Sequence, residues 1–169
     1  MKRLFFALWP DEKVRNQCMK IMERLNDGRS RAINPANLHV TLLFLGYIPE
    51  EKVIIIKQEA DHIAVPKIRV NFNQISFWKK PGILCLTATE TNRELIMLAD
   101  QLKAIAEKLS ISLDGQPIYP HITLFRKVHS IERYEFDVVD WQSSSFCLVE
   151  SCTHLNQVEY RIIESWDAR

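Results

Sequence analysis

Two copies of one short pattern, half a chain apart, constrain the fold of this 169-residue chain most strongly. The block HVTLLFLG begins at His39, and the block HITLFRKV begins at His121, 82 residues later (121 − 39). In both blocks polar and apolar residues alternate at first, which is typical of a β-strand with one face in a core. The repeat therefore predicts two similar lobes related by a pseudo-two-fold axis.

The hydrophobic periodicity between and around the two blocks predicts an α+β fold. The spacing of apolar residues and the turn signals predict helices over about 11–25, 49–63 and 91–109, and strands over 3–9, 38–46, 67–78, 83–88, 119–126, 144–154 and 158–164. The strands over 67–78 and 83–88 should form a hairpin. No linker interrupts the pattern, so residues 1–169 are expected to form one domain of two similar lobes. We expect largely antiparallel sheets, helices on the outer faces and a central cleft.

Composition excludes several classes of protein. Hydrophobic residues make up 47% of the chain and charged residues 25%, as in an ordinary soluble domain. The formal net charge of +1 argues against a protein that coats long nucleic acid, while a nucleic-acid end remains a possible substrate. The four cysteines form no C-x-x-C pair, and no apolar run is long enough to cross a membrane. We expect a cytoplasmic protein that works away from membranes, as a monomer.

The two histidine–threonine pairs are the candidate chemistry of the chain. Strand alternation places His39 and Thr41 on one face, and His121 and Thr123 on the corresponding face of the second block. H-x-T should arise by chance about 0.2 times in such a chain, and two copies have a probability of about 0.015. A neutral histidine can accept a proton from water and a protonated one can give a proton to a leaving alkoxide, which suits displacement at phosphorus. The threonine hydroxyls could bind the non-bridging oxygens.

Arg126 is a further candidate for binding phosphate. It lies five residues after His121 and offers a permanently charged guanidinium. Strict alternation places it on the opposite face from His121, so it must reach the cleft from the strand end or past a bulge. The alternative is a solvated arginine at the end of a strand. Neither H-E-x-x-H, G-x-S-x-G nor a P-loop occurs in the sequence, so we expect no metal site.

Taken together, these blocks resemble the two-histidine (2H) phosphoesterases, whose mark is a pair of H-x-T-x motifs. The resemblance is closest to the bacterial and archaeal RNA 2′,3′-cyclic phosphodiesterases, also called 2′-5′ RNA ligase-like proteins. It covers nearly the whole chain and rests on the segments RLFFAL, NLHVTLLFLG, PGILCL and YPHITLFR and on the final Tyr160 and Trp166.

The resemblance implies a bilobal α+β fold and a hydrolase that opens the 2′,3′-cyclic phosphate of an RNA or oligonucleotide end, or of a cyclic nucleotide. It implies that His39 donates a proton to the leaving 3′ oxygen and that His121 accepts one from water. Thr41, Thr123 and Arg126 would bind the phosphate. Neither metal nor cofactor is implied, and such an enzyme could in principle run the reverse reaction, a 2′-5′ RNA ligation.

Aromatic residues and two rival functions complete the sequence-based hypotheses. Phe5, preferred to Phe6 because it shares a face with the small Ala7, could stack a nucleobase, and so could Trp78. The alternatives are core packing for either phenylalanine and packing at a hairpin tip for Trp78. The other histidines (His62, His129 and His154) are expected at the surface.

The rival functions are a nucleotide-binding module without catalysis and a phosphodiesterase for another cyclic or diester phosphate.

Overall fold

The computed structural model describes residues 1–90, 92–115, 118–155 and 157–168, apart from the side chains of His154 and Gln157. The prediction that His154 lies at the surface, and the predicted helix start at Thr91, fall outside the described residues. Three α-helices are assigned in the described part: α1 (Glu12–Leu25), α2 (Glu50–Ala60) and α3 (Arg93–Lys108). The strands there are β1 (Lys2–Leu8), β2 (Arg31–Ala32), β3 (Val40–Ile48), β4 (Ile68–Phe72), β5 (Gln74–Trp78), β6 (Ile83–Thr87), β7 (His121–Arg126), β8 (Val139–Ser143), β9 (Ser145–His154) and β10 (Gln157–Asp167).

An eight-stranded sheet places the two repeated blocks side by side. Its strand order is β10-β9-β1-β3-β7-β6-β5, with the short β2 alongside β7, and a separate pair is formed by β4 and β8. Every pairing is antiparallel. The central strands β3 and β7, which carry the blocks, are joined through the single pair Val40–Ile122. The antiparallel α+β fold class is confirmed. The division into two similar lobes stays a prediction, which this narrow junction supports.

Capping residues and apolar spacing explain where the helices form. The Asp11 carboxylate accepts a hydrogen bond of 2.8 Å from the backbone N–H of Val14 at the start of α1. The Asn92 side chain does the same for Leu95 at the start of α3, also at 2.8 Å. Each helix buries one apolar face in the main core, and α3 packs against both α2 and β3. The helices thereby cover one face of the sheet and leave its other face for the candidate site.

The two faces of β1 show this division clearly. Leu4, Phe6 and Leu8 belong to the main core. Phe5 and Ala7 point the other way and form a small cluster, together with Cys147 and Val149 of β9. Since Ala7 lies opposite Thr41 of β3, this second face is the one that carries the first histidine–threonine pair.

The prediction of one continuous strand over residues 67–78 is wrong. The segment divides at Asn73: β4 pairs with β8 in the small sheet, and only β5 forms the predicted hairpin with β6. At this division the Asn73 side chain donates to the Thr89 hydroxyl at 2.9 Å and accepts from the Thr89 backbone N–H at 3.1 Å. Strands β2 and β8 were not predicted. In the described part of the chain, none of the helices has the length and apolar character needed to cross a membrane.

Candidate active site

The pairing of Val40 with Ile122 arranges the two histidine–threonine pairs symmetrically. Both residues are buried, at 0% and 1% exposure, and point into the main core. Their polar neighbours are partly exposed on the opposite face. Continuing the antiparallel register by one residue in each direction brings the histidine of each block opposite the threonine of the other. The four side chains therefore form one polar patch with an approximate two-fold axis through its centre.

The ring of His39 is held at both nitrogens. Its Nδ1 lies 2.6 Å from the backbone carbonyl oxygen of Asn37, and its Nε2 lies 3.1 Å from the hydroxyl oxygen of Thr41. A carbonyl oxygen can only accept, so Nδ1 carries a hydrogen and donates it. In the neutral ring Nε2 is then the basic nitrogen and accepts the Thr41 hydroxyl hydrogen. The nitrogen that can exchange a proton with a substrate is therefore Nε2.

His121 is oriented in the same manner in the second block. Its Nδ1 donates to the backbone carbonyl of Tyr119 at 2.7 Å, again two residues earlier in the chain. This bond fixes the tautomer and leaves Nε2 for proton exchange. The two rings are thus presented alike, as expected for groups that perform complementary proton transfers.

The pKa of His39 is lowered to about 4. Burial is the main cause because it disfavours the charged ring, and nearby positive charge on His121 and Arg126 lowers the pKa further. The hydrogen bond to the Asn37 carbonyl acts in the opposite direction. His39 is therefore neutral at pH 7 in the absence of ligand.

The pKa of His121 is lowered as well. Burial is again the largest cause, the hydrogen bond to Tyr119 opposes it, and the charge of Arg126 adds to the lowering. Since an ordinary histidine titrates near 6.5, His121 is also mainly neutral at pH 7. The influence of Arg126 on both rings indicates that its charge lies close to the polar patch.

A β-bulge in β7 explains how Arg126 reaches this face. Thr123 pairs with Cys85 of β6, whereas Phe125, two residues later, pairs with the adjacent Leu84. The extra residue reverses the alternation, and two successive residues before the arginine are buried. Arg126, which is exposed, is thereby returned to the face of His121. Of the two routes that the sequence left open, the bulge is the one found.

Aromatic rings enclose His39 on the side of the first block. Trp9 stacks on the His39 ring, with centroids 5.6 Å apart and planes inclined by 12°. Tyr160 meets it edge-on at 5.1 Å, and Phe5 lies at 5.1 Å beneath it. The sequence did not indicate this role for Trp9 or Tyr160. Nothing local in the sequence shows that β10 passes beside His39, the residue before β3.

The stacking role predicted for Phe5 does not fit its position. Its side chain is only 2% exposed, so it offers no free face to a nucleobase. The predicted orientation on the Ala7 face is found, but there the ring packs under His39 and against Phe44 and Tyr160. Phe5 is therefore a supporting residue for the His39 ring, which agrees with the core-packing alternative.

Trp78 lies at the turn end of the β5–β6 hairpin, paired with Ile83, and its ring is beside the second histidine. Its ring meets His121 edge-on with centroids 4.6 Å apart and contacts Tyr119 at 6.1 Å. Trp78 is partly exposed. A nucleobase-stacking role for it stays a prediction.

A cavity opens directly beside the polar patch. It has a volume of about 290 Å³, and its walls include Thr41, His121, Phe44 and Tyr119. Within the described residues, no group of three or more His, Cys, Asp or Glu side chains is arranged to hold a metal ion. Partly buried imidazoles, hydroxyls and one guanidinium next to a cavity form an arrangement that can bind an anion and move protons.

Comparison with known proteins supports the resemblance inferred from the two blocks. Residues 8–85, which include the first block, match the family model described as LigT like Phosphoesterase. The RNA 2′,3′-cyclic phosphodiesterase of Escherichia coli K12 is 26% identical over 168 residues, covering 98% of this chain and 96% of its own length. The chain is thus similar to LigT-like phosphoesterases.

Other relatives also match this chain over both blocks. The RNA 2′,3′-cyclic phosphodiesterase of Archaeoglobus fulgidus is 28% identical over 151 residues, covering 85% of this chain and 83% of its own. Crystal structures of E. coli LigT with NADP+ and with 3′-AMP superpose with TM-scores of 0.89 and 0.83. Both are 25% identical and cover 98% of this chain and 97% of their own.

Proposed function

We propose that this protein is a metal-independent RNA 2′,3′-cyclic phosphodiesterase. It hydrolyses the cyclic phosphate at an RNA or oligonucleotide 3′ end to a 2′-phosphomonoester, using two histidines as general acid and general base. The observation that carries the proposal is the placement of two H-x-T pairs about the Val40–Ile122 pair, on the face that also receives Arg126. The activity named for the relatives and the nucleotides bound to E. coli LigT support the same substrate class.

His121 acts as the general base in this proposal. Its Nδ1 is occupied by the Tyr119 carbonyl, so Nε2 accepts a proton from water as the water oxygen forms a bond to phosphorus. The lowered pKa keeps the ring neutral before reaction, which a base requires. The charge of Arg126 contributes to keeping it neutral.

His39 acts as the general acid. As the bond between phosphorus and O3′ breaks, Nε2–H of His39 gives its proton to O3′, and the phosphate stays on O2′. This role requires the ring to be protonated in the substrate complex, although its pKa is about 4 without ligand. The negative charge of the bound phosphate favours the imidazolium. Proton uptake by His39 therefore accompanies substrate binding.

Thr41, Thr123 and Arg126 bind the non-bridging oxygens. Each threonine lies beside a histidine on the common face, so its hydroxyl can donate to an oxygen whose charge grows in the transition state. The Arg126 guanidinium can donate two parallel hydrogen bonds to a phosphate. If a 5′-hydroxyl replaces water as nucleophile, the same two proton transfers form a 2′-5′ linkage.

The product of the wild-type enzyme tests this function. EDTA-treated protein is incubated with adenosine 2′,3′-cyclic phosphate and with an oligonucleotide that ends in a cyclic phosphate, and the products are followed by 31P NMR. We expect 2′-phosphomonoesters from both. Formation of 3′-phosphates would contradict the assigned leaving oxygen. Nucleotide affinity without turnover would instead identify a binding module, and turnover of unrelated diesters alone would identify a different phosphodiesterase.

A further inference from the structure

A second cavity lies on the same face of the sheet as His39, farther along β1 and β3. Its volume is about 310 Å³, and its walls include Arg3, Phe44, Ser151 and Tyr160. The cavity beside His121 shares Phe44 and Asp114 with it. The two cavities are therefore neighbours, with Phe44 between them, and together they are called the groove below.

Strand register shows how this groove extends away from the polar patch. Ala7 lies opposite Thr41, Phe5 lies opposite Phe44, and Arg3 lies opposite Tyr47. Alternate residues of a strand share a face, so the odd-numbered residues of β1 line the groove in succession. Arg3 is four residues from Ala7, or about 13 Å along the strand. An arginine side chain can reach back over part of this distance. Its guanidinium can then meet the neighbouring phosphate of a nucleotide chain, but not the cyclic phosphate itself.

Arg3 supplies a cation at the outer part of the groove. It is exposed, and none of the ion pairs found among the described residues includes it. The adjacent Lys2 points to the other side of β1, where it forms an ion pair of 3.1 Å with Glu150. The groove thus holds an arginine whose charge is available to an anionic ligand.

Phe44 supplies an aromatic surface between the two cavities. It is 59% exposed on the groove face, whereas Phe5, to which it is packed at 5.8 Å, is almost fully buried. Phe5 thereby supports the Phe44 ring from below. An aromatic ring held in place and exposed beside an anion site is the arrangement on which single-stranded nucleic acids stack a base.

Asp114 sets a restriction on how a nucleotide can lie in the groove. Asp114 lines both cavities, and a carboxylate there repels a phosphate placed next to it. A carboxylate can instead accept hydrogen bonds from a ribose hydroxyl or from the N–H groups of a base. The phosphate is consequently directed to the Arg3 side of the groove and the sugar or base to the Asp114 side.

We propose that this groove, through Arg3 and Phe44, binds the nucleotide on the 5′ side of the terminal cyclic phosphate. Arg3 contacts the phosphodiester that links the last two nucleotides, and Phe44 stacks the penultimate base. The enzyme then selects oligonucleotide ends over free cyclic nucleotides. The inference rests on the proposed function, because it takes the cyclic phosphate to be bound at the two histidines.

Three substrates separate the contributions of phosphate and base. Adenosine 2′,3′-cyclic phosphate lacks both, its 5′-phosphorylated form adds the phosphate, and the dinucleotide ApA ending in a cyclic phosphate adds both. For the wild type we expect kcat/KM to rise about tenfold or more from the first to the last. Equal values for all three substrates would overturn the proposal.

Two variants with matched controls assign the effect to residues. Arg3→Ala should lower kcat/KM about tenfold for the two substrates with a 5′ phosphate and leave the plain cyclic nucleotide within about twofold. Phe44→Ala should lower kcat/KM about fivefold or more further for the dinucleotide than for the other two substrates. The controls are Arg161→Ala, an exposed arginine opposite Glu150 on the other face of the same sheet, and Ile54→Ala, an exposed apolar residue of α2. Losses that are equal for all three substrates would overturn the proposal.

Binding of the 2′-phosphorylated products separates this proposal from the proposed function. ApA 2′-phosphate and adenosine 2′-phosphate are titrated into the wild type and both variants, with tryptophan fluorescence as the readout. We expect the wild type to bind the dinucleotide more tightly than the mononucleotide, and Arg3→Ala and Phe44→Ala to abolish this difference. That result supports the groove even if no substrate is hydrolysed. Equal binding of the two products by the wild type overturns the groove even if hydrolysis is rapid.

Discussion

Val40 of β3 and Ile122 of β7 pair across the centre of the sheet, and this pair relates the two H-x-T blocks to each other. The pairing places each histidine next to a threonine of its own block and across from a threonine of the other. The two halves of the sheet meet at the same point. The geometry of the candidate site therefore depends on the register of one strand pair.

The threonine hydroxyls should contribute to the rate rather than to stability. Thr41→Val and Thr123→Val keep the shape of the side chain and remove the hydrogen-bond donor, so we expect kcat to fall about 10- to 100-fold. The free energy of unfolding, measured by urea denaturation, should change by less than about 1 kcal/mol because both residues are partly exposed. Thr153→Val, at an exposed position of β9, is the matched control. Unchanged kcat in both site variants would exclude the assigned role.

Arg126 should require its planar guanidinium. We expect Arg126→Lys to raise KM and lower kcat, with a loss in kcat/KM of about tenfold or more, because an ammonium cannot make two parallel bonds to phosphate. Arg126→Ala should lose more than Arg126→Lys. Arg29→Ala, an exposed arginine in the loop after α1, serves as the control. Full activity of Arg126→Lys would show that a point charge is sufficient.

The lowered pKa of His39 should make the folded state sensitive to acid. Its pKa is near 6.5 in the unfolded chain and about 4 in the folded protein, so the unfolded state binds the proton more readily. The free energy of unfolding should therefore fall, by up to about 3 kcal/mol, as pH decreases from 6.5 to 4. Urea denaturation of His39→Asn should show a smaller loss over this interval than the wild type does. Identical pH dependence of the wild type and His39→Asn would mean that the ring is not held neutral by the fold. The control is His62→Asn, at an exposed position.

Trp9 should favour the protonated form of His39. An indole face stacked on an imidazolium stabilises its positive charge, and the rings are parallel to within 12°. Trp9→Leu should lower the pKa of the acid in the substrate complex, which shifts the high-pH limb of kcat by about half a unit to lower pH. Trp9→Phe should show a smaller shift, because it retains an aromatic face. A uniform loss of kcat at every pH would indicate that Trp9 only supports the fold.

The helices, most strands and the alternation of the two blocks could be predicted because each depends on local periodicity. The division at Asn73 could not. The apolar positions change phase there, from Ile68, Val70 and Phe72 to Ile75 and Phe77, but the choice of two different partner strands depends on β8, which is about 70 residues away in sequence. β8 itself is a short strand, V-D-W-Q-S, and five residues show too little alternation to be distinguished from the strand that follows.

Within the candidate site, the sequence identified the polar residues but not their surroundings. The face of the sheet on which Arg126 lies depends on a bulge, and no residue in YPHITLFR predicts that bulge. The burial of Phe5 depends on Tyr160, which reaches His39 only because β10 and β9 extend the sheet beyond β1. Both features come from contacts between distant segments. Period and motif carry no information about such contacts.

Turnover by variants of the two histidines tests the central claim most directly. kcat/KM is measured for adenosine 2′,3′-cyclic phosphate in EDTA with the wild type, His39→Ala, His121→Ala, and the controls His62→Ala and His129→Ala, whose histidines are exposed. Two-histidine catalysis predicts that each site variant loses at least about 100-fold and that both controls keep wild-type activity. Wild-type turnover by either His39→Ala or His121→Ala would contradict it.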